Sequence, residues 1–174
     1  MNAMIGHRVR HMLDADVKTV LKWRNHPSIQ SYMHTNHEIS IKEHEHWFIR
    51  CVADNRIRLL IYEIDRSEQG FMKIEIRRGT KIADWGFYTS PDAPKGSGQK
   101  MCKLTLEYVF TTLNLDKICG QALHFNKASI GLHRKLGFSE ETSPVTQLIN
   151  GSKNCNMVYF GLLKNRYIGI NLNE

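Results

Sequence analysis

Apolar positions along the chain change period as it proceeds, and each change marks an element. Residues 7–13, HRVRHML, predict a first strand. A helical stripe follows, with Val17, Val20 and Leu21 at i, i+3 and i+4 within DADVKTVLKWRNHPSI. Pro27 ends that helix, because the residue ahead of a proline disfavours helical geometry. SIKE at 40–43 is a Ser-x-x-Glu capping box. It opens a second helix in which Trp47, Phe48, Cys51 and Val52 recur at helical spacing. Then the period falls to two. IRLLIYEID (57–65), GFMKIEIRR (70–78) and ADWGFYTS (83–90) predict three strands, rich in β-branched and aromatic residues. In the middle one Phe71, Lys73 and Glu75 alternate with Met72, Ile74 and Ile76. After the turn-rich PDAPKGSGQK the helical period returns, with Cys102, Leu106, Val109, Phe110 and Leu113 on one stripe. A strand KICGQALHF, a helix NKASIGLHRKLGF and a last strand at 155–163 complete the order. No repeat, low-complexity tract or linker interrupts it. The order predicts one domain over 1–174, of α/β (α+β) class, with helices packed on a central sheet.

Composition narrows the function classes. Hydrophobic residues at 41% and charged residues at 24% suit a globular core. No apolar run approaches the roughly 20 residues that span a bilayer. The opening MNAMIGHRVR lacks the apolar stretch of a secretory leader, so a cytoplasmic location is expected. Cys51, Cys102, Cys119 and Cys155 are scattered without a C-x-x-C pair, which predicts neither a disulfide framework nor a zinc site. His44 and His46, two apart, face different sides of a helix and do not form a metal pair. No metal is expected. The formal charge of +7 favours anionic partners. No basic run exceeds two residues and aromatics do not alternate with arginines, so nucleic acid and membrane surfaces are not expected. Small phosphorylated ligands remain.

Two stretches carry the chemistry. KGSGQK (95–100) lies between a strand and a helix, where two glycines let backbone N–H groups converge at a positive helix N-terminus. It lacks the third glycine of a dinucleotide fingerprint and the Gly-Lys-Ser/Thr ending of a Walker loop. The helix NKASIGLHRKLGF places Asn126 and His133 two turns apart on one face. Taken alone, it reads either as a capped surface helix stopped at Gly137 or as one holding a cofactor. Together the two stretches resemble the GNAT acetyltransferases, over nearly the whole chain. Gly96 and Gly98 match that family's phosphate loop, and Asn126, Lys135, Gly137 and Phe138 match its later helix. Ala93 stands where the loop motif has Gln or Arg, and His133 where the helix has tyrosine.

The resemblance implies a mixed sheet splayed open to admit acetyl-CoA. The pyrophosphate would rest on Lys95, Gly96, Ser97, Gly98, Gln99 and Lys100, with Lys135 and Asn126 on the cofactor side. The pantetheine would run along the strand ending at Tyr88 and Thr89, and backbone N–H groups around Phe87 and Tyr88 would face the oxyanion. A neutral amine would attack the thioester directly. His133 would take the tyrosine's place as general acid, and Glu75 or Asp84 would be the base. The N-terminal half is similar to the pseudaminic-acid branch of the family. Those enzymes N-acetylate the 4-amino group of UDP-4-amino-4,6-dideoxy-N-acetyl-β-L-altrosamine, for flagellin glycosylation. That similarity implies Arg24, His44 and Tyr88 at the nucleotide, and Met33 and Trp47 against the sugar's 6-methyl group. A protein N-terminal acetyltransferase and a non-catalytic acyl-CoA-binding module are the alternatives. Oligomeric state is left open.

Overall fold

The computed structural model describes residues 6–33, 37–142 and 157–171. Seven strands form one sheet: β1 (His7–His11), β2 (Ile57–Ile64), β3 (Ser67–Ile76), β4 (Ile82–Thr89), β5 (Lys117–Leu123), β6 (Ser139–Glu141) and β7 (Met157–Leu163). Their spatial order is β1-β2-β3-β4-β5-β7-β6. Every neighbouring pair is antiparallel except β4 and β5, which run parallel. The mixed sheet with helices on both faces matches the expected class.

The alternation in β3 explains why both faces are covered. Met72 and Ile74 join one core with Leu106, Val109 and Phe110 from α4 (Ser97–Glu107) and the turn after it. Ile130 of α5 (Lys127–Lys135) belongs to the same core. Phe71 points the other way, into a second core with Val17, Val20 and Trp23 of α1 (Val17–Arg24) and Phe48 and Cys51 of α3 (Ile41–Ala53). The capping box at α3 forms as expected: Ser40 Oγ accepts from the Glu43 N–H at 3.2 Å, and Glu43 accepts from the Ser40 N–H at 3.0 Å.

Several features differ from the sequence reading. Pro27 does not end a helix but begins one. It is the first residue of the short α2 (Pro27–Gln30), where a missing N–H costs nothing, and His26 caps it. Only Lys95 and Gly96 of the KGSGQK stretch are loop, because α4 already starts at Ser97. α4 then loosens over Tyr108–Thr112, where the Leu113 N–H bonds back five residues to the Tyr108 carbonyl. The edge strand β6 and the helix α6 (Lys164–Asn171) were not foreseen. β6 reads Ser-Glu-Glu, with no apolar alternation to betray it. Residues 155 and 156 of the expected last strand lie outside the described residues.

Candidate active site

β4 and β5 pair over only three residues, Ile82 with Lys117, Ala83 with Ile118 and Asp84 with Cys119. Both strands continue, to Thr89 and Leu123, without pairing with each other. The sheet therefore forks beyond Asp84, and a cleft of about 570 Å³ opens in the fork. On one side Phe87 and Thr89 of β4 face Asn126, Ser129 and Leu132 of α5. On the other, Ile29, Met33, Phe71 and Tyr88 line a continuation of the same space. Such a passage admits one ligand from each face of the sheet, with their reacting ends meeting in the fork.

The first turn of α4 closes the cofactor side. Gly96 has φ +89°, a left-handed conformation that favours glycine, and so it turns the chain into the helix. The N–H groups of the first helical turn have no partner within a helix, which suits an anion at the mouth. Gly98 lines the cleft, and its glycine is not demanded by its own backbone. A Cβ there would meet Thr89 Cγ2 and Leu132 Cδ2, both at 3.8 Å, which is ordinary contact. The gap it would fill lies between β4 and α5, so the missing side chain leaves room for a slender ligand arm such as pantetheine. Of the expected phosphate residues, Lys95 is exposed at the rim, while Lys100 is drawn to His7, Nζ to Nε2 3.0 Å. Lys135, expected on the cofactor, is exposed at the last turn of α5 and does not line the cleft. Asn126 is the α5 N-cap, its Oδ1 accepting from the Ser129 N–H at 3.0 Å, and it also lines the cleft. The capping role is therefore seen directly, and the residue is also open to a ligand in the cleft.

The fork itself is braced. His133 is 1% exposed, and both of its ring nitrogens are engaged. Nδ1 lies 2.8 Å from the Ser129 carbonyl, and Nε2 lies 3.0 Å from the Trp85 indole nitrogen. A carbonyl only accepts and an indole N–H only donates, so Nδ1 carries the proton and Nε2 is bare. The ring stacks on Phe160 at 4.5 Å, with Phe87 and Phe138 around it. Burial pushes its pKa below the ordinary histidine value, although the Ser129 carbonyl raises it somewhat. A neutral, fully engaged imidazole is poorly placed to donate a proton to a thiolate, so the expected role as general acid is corrected to that of a brace. Gly120 leaves room for the brace: a Cβ there would sit 2.6 Å from Trp85 Nε1 and closer still to His133 Nε2. Gly120→Ala is expected to cost about 1–3 kcal/mol through overpacking, read by urea unfolding. An unchanged midpoint would mean the brace yields freely.

The proposed bases are also displaced. Asp84 accepts two hydrogen bonds from Arg77, at 2.8 and 2.7 Å, and Glu75 is paired with Lys73 at 2.7 Å. Neither carboxylate lines the cleft. The residues expected at the acceptor lie at and behind the cleft. Tyr88 and Met33 line the cleft directly. Behind them stands a linked cluster. Tyr88 packs on Phe71 at 5.2 Å, Phe71 on Trp47 at 5.9 Å, and Trp47 stacks on His44 at 4.8 Å. Arg24 interacts electrostatically with both Tyr88 and His44. Burial lowers the pKa of His44 and raises that of Tyr88, so both favour their neutral forms. Sequence reasoning missed Trp85, Gly120 and Lys73. Trp85 sits beside Gly86 in a strand already singled out, but nothing local marks it as the partner of a residue 48 positions on.

Among the described residues no group of three or more His, Cys, Asp or Glu could hold a metal ion, and no helix is long and apolar enough to cross a membrane. Residues 8–139 match the family described as "Acetyltransferase (GNAT) domain". The chain is similar to acetyltransferase PseH of Campylobacter jejuni serotype O:2, with 27% identity over 124 residues, covering 71% of this chain and 77% of that protein. It is also similar to spermidine N(1)-acetyltransferase of Escherichia coli K12, with 24% identity over 163 residues, covering 92% and 88%. In fold it resembles the spermidine N-acetyltransferase from Vibrio cholerae solved in complex with CoA and spermine. The TM-score is 0.82 at 22% identity, covering 94% of this chain and 98% of that one.

Proposed function

Because the chain belongs to the GNAT family and is an N-acetyltransferase that uses acetyl-CoA, we propose that its acceptor is the 4-amino group of a UDP-4-amino-4,6-dideoxy sugar. That activity would place the enzyme in pseudaminic acid synthesis. One observation carries the choice: among the described residues lining the cleft there is no carboxylate, and Lys73 is the lone formal charge. A polyamine is a chain of cations and needs anionic partners once desolvated. A nucleotide-linked sugar brings phosphate negative charge and an apolar 6-methyl group. Arg24 behind Tyr88 suits the former, and Met33, Ile29 and Phe71 suit the latter.

Catalysis on this reading is mostly positioning. Acetyl-CoA supplies an activated thioester carbonyl. The fork holds the attacking amine against it, and the unpaired edge of β4 beyond Asp84 offers backbone N–H donors for the developing oxyanion. With no carboxylate at the lining, the amine's proton leaves through water. A polyamine acceptor is the second reading, favoured by the longer coverage of the spermidine acetyltransferase relatives.

Thiol release from acetyl-CoA with UDP-amino sugars, spermidine and N-terminal peptides decides the acceptor. Preference for the UDP-4-amino sugar supports the proposal. Preference for spermidine supports the second reading, preference for the peptides supports a protein N-terminal acetyltransferase, and no turnover with any amine supports a non-catalytic binding module. Arg24→Ala is expected to raise the acceptor KM about tenfold, equivalent to about 1.4 kcal/mol, with the acetyl-CoA KM unchanged. A mutant that instead loses acetyl-CoA would overturn the division of the cleft.

A further inference from the structure

We infer that Lys73 and Gly86 together form the floor of the acceptor half-site, with Lys73 selecting the acceptor as a hydrogen-bond donor. The inference rests on the sugar-nucleotide reading above and adds the residues that enforce it. Lys73 on β3 and Gly86 on β4 are direct cross-strand partners, and both line the cleft. They sit just past the point where β4 and β5 part, on the face shared with Phe71 and Tyr88.

Gly86 interrupts a strand of larger side chains. Its φ is not in the left-handed region, and a Cβ there would meet nothing within 4 Å. The chain therefore does not need glycine at 86 for its own packing or backbone. What the missing side chain provides is a bare patch of strand beside Lys73, where a ring can lie flat against the backbone. Lys73 is fixed in direction by its hydrogen bond to Glu75 at 2.7 Å, which uses one of its three N–H donors. The others are available to an oxygen of the acceptor beside the reacting nitrogen: a hydroxyl, an amide carbonyl or a phosphate. Glu75 offsets much of its charge, but the ammonium offers donors and no acceptor, so it bonds a sugar oxygen and gives a cationic polyamine nothing to bond.

Steady-state kinetics on Lys73→Glu, Lys73→Met, Lys73→Arg and Gly86→Val test this, with UDP-4-amino-4,6-dideoxy-N-acetyl-altrosamine and spermidine as acceptors. Lys73→Glu is expected to lower kcat/KM for the sugar at least 30-fold, mainly through KM, and to make spermidine turnover measurable. Lys73→Met should lose sugar affinity by about tenfold, and it serves if the Glu variant does not fold. Lys73→Arg should stay within about threefold of wild type. Gly86→Val should lose acceptor turnover more than 100-fold while its acetyl-CoA affinity, by calorimetry, stays within threefold. Wild type that uses the sugar, combined with folded Lys73→Met and Gly86→Val variants of unchanged sugar kinetics, would overturn this inference alone. Wild type that prefers spermidine would overturn the sugar reading and the inference with it.

Discussion

Gly98→Ala should make the protein more stable and the enzyme worse. Alanine in the first turn of α4 is expected to raise unfolding free energy by about 0.5 kcal/mol, because glycine loses more backbone freedom on folding. The new methyl makes only ordinary contact with Thr89 and Leu132 at 3.8 Å, so nothing in the protein opposes it. Yet it occupies the gap between β4 and α5 through which the acetyl-CoA arm is proposed to pass. Gly98→Val adds two further carbons to the same gap and is expected to weaken acetyl-CoA binding more than 100-fold, with the fold intact. Calorimetry with acetyl-CoA and urea unfolding read the two effects separately. Opposite signs in one variant would show that the glycine is kept for a ligand. Unchanged acetyl-CoA affinity in a folded Gly98→Val would remove the α4 turn from the site.

The elements that were legible in the sequence are those whose cause is local. The Ser40–Glu43 box announced α3, and the two-residue alternation in β3 announced which side chains enter which core. The loop glycines and Asn126 were legible as a pair of motifs. The splay of the sheet came only through the family resemblance. The brace that holds it was not legible, because it depends on three elements meeting: Trp85 on β4, His133 on α5 and the bare Cα of Gly120 on β5. No spacing rule links those positions. His133 was misread for the same reason. It does line the cleft, as its place in the motif suggested, but four aromatic rings from β4, β7 and the turn after α5 bury it and both ring nitrogens are already engaged. Of the residues expected at the acceptor, Met33 and Tyr88 line the cleft, whereas Arg24, His44 and Trp47 stand behind the lining rather than in it. Burial is a tertiary property, and a residue type carries it only as a bias.

His133 now predicts a pH dependence of stability rather than of turnover. Its pKa, and that of His44, is lowered by burial in the folded state. Below about pH 6.5 the unfolded chain binds a proton at each ring while the folded ring stays neutral. The stabilisation is complete above about 6.5 and is lost as pH falls from there towards the folded values, by up to about 1.4 kcal/mol per pH unit for each histidine. Burial would raise Asp16 and Glu63, but hydrogen bonds from Arg10, and from Arg8 to Glu63, hold them low. They begin to lose their contribution only below about pH 4.5, so the loss between about 6.5 and 4.5 belongs to the histidines. His133→Phe keeps the ring's bulk but strands the Trp85 N–H, at a cost of about 1–3 kcal/mol. It should also roughly halve the slope between pH 6.5 and 5 in urea unfolding. His133→Ala adds a cavity and should cost about 3–5 kcal/mol. Turnover gives the complementary reading. A general acid of ordinary histidine pKa would lose its proton above about 6.5 and take activity with it. A neutral brace has no such limb, so wild type and His133→Phe should share one alkaline profile, with turnover within about tenfold. A wild-type rate that falls through pH 7 and is flat in His133→Phe would return the proton to His133.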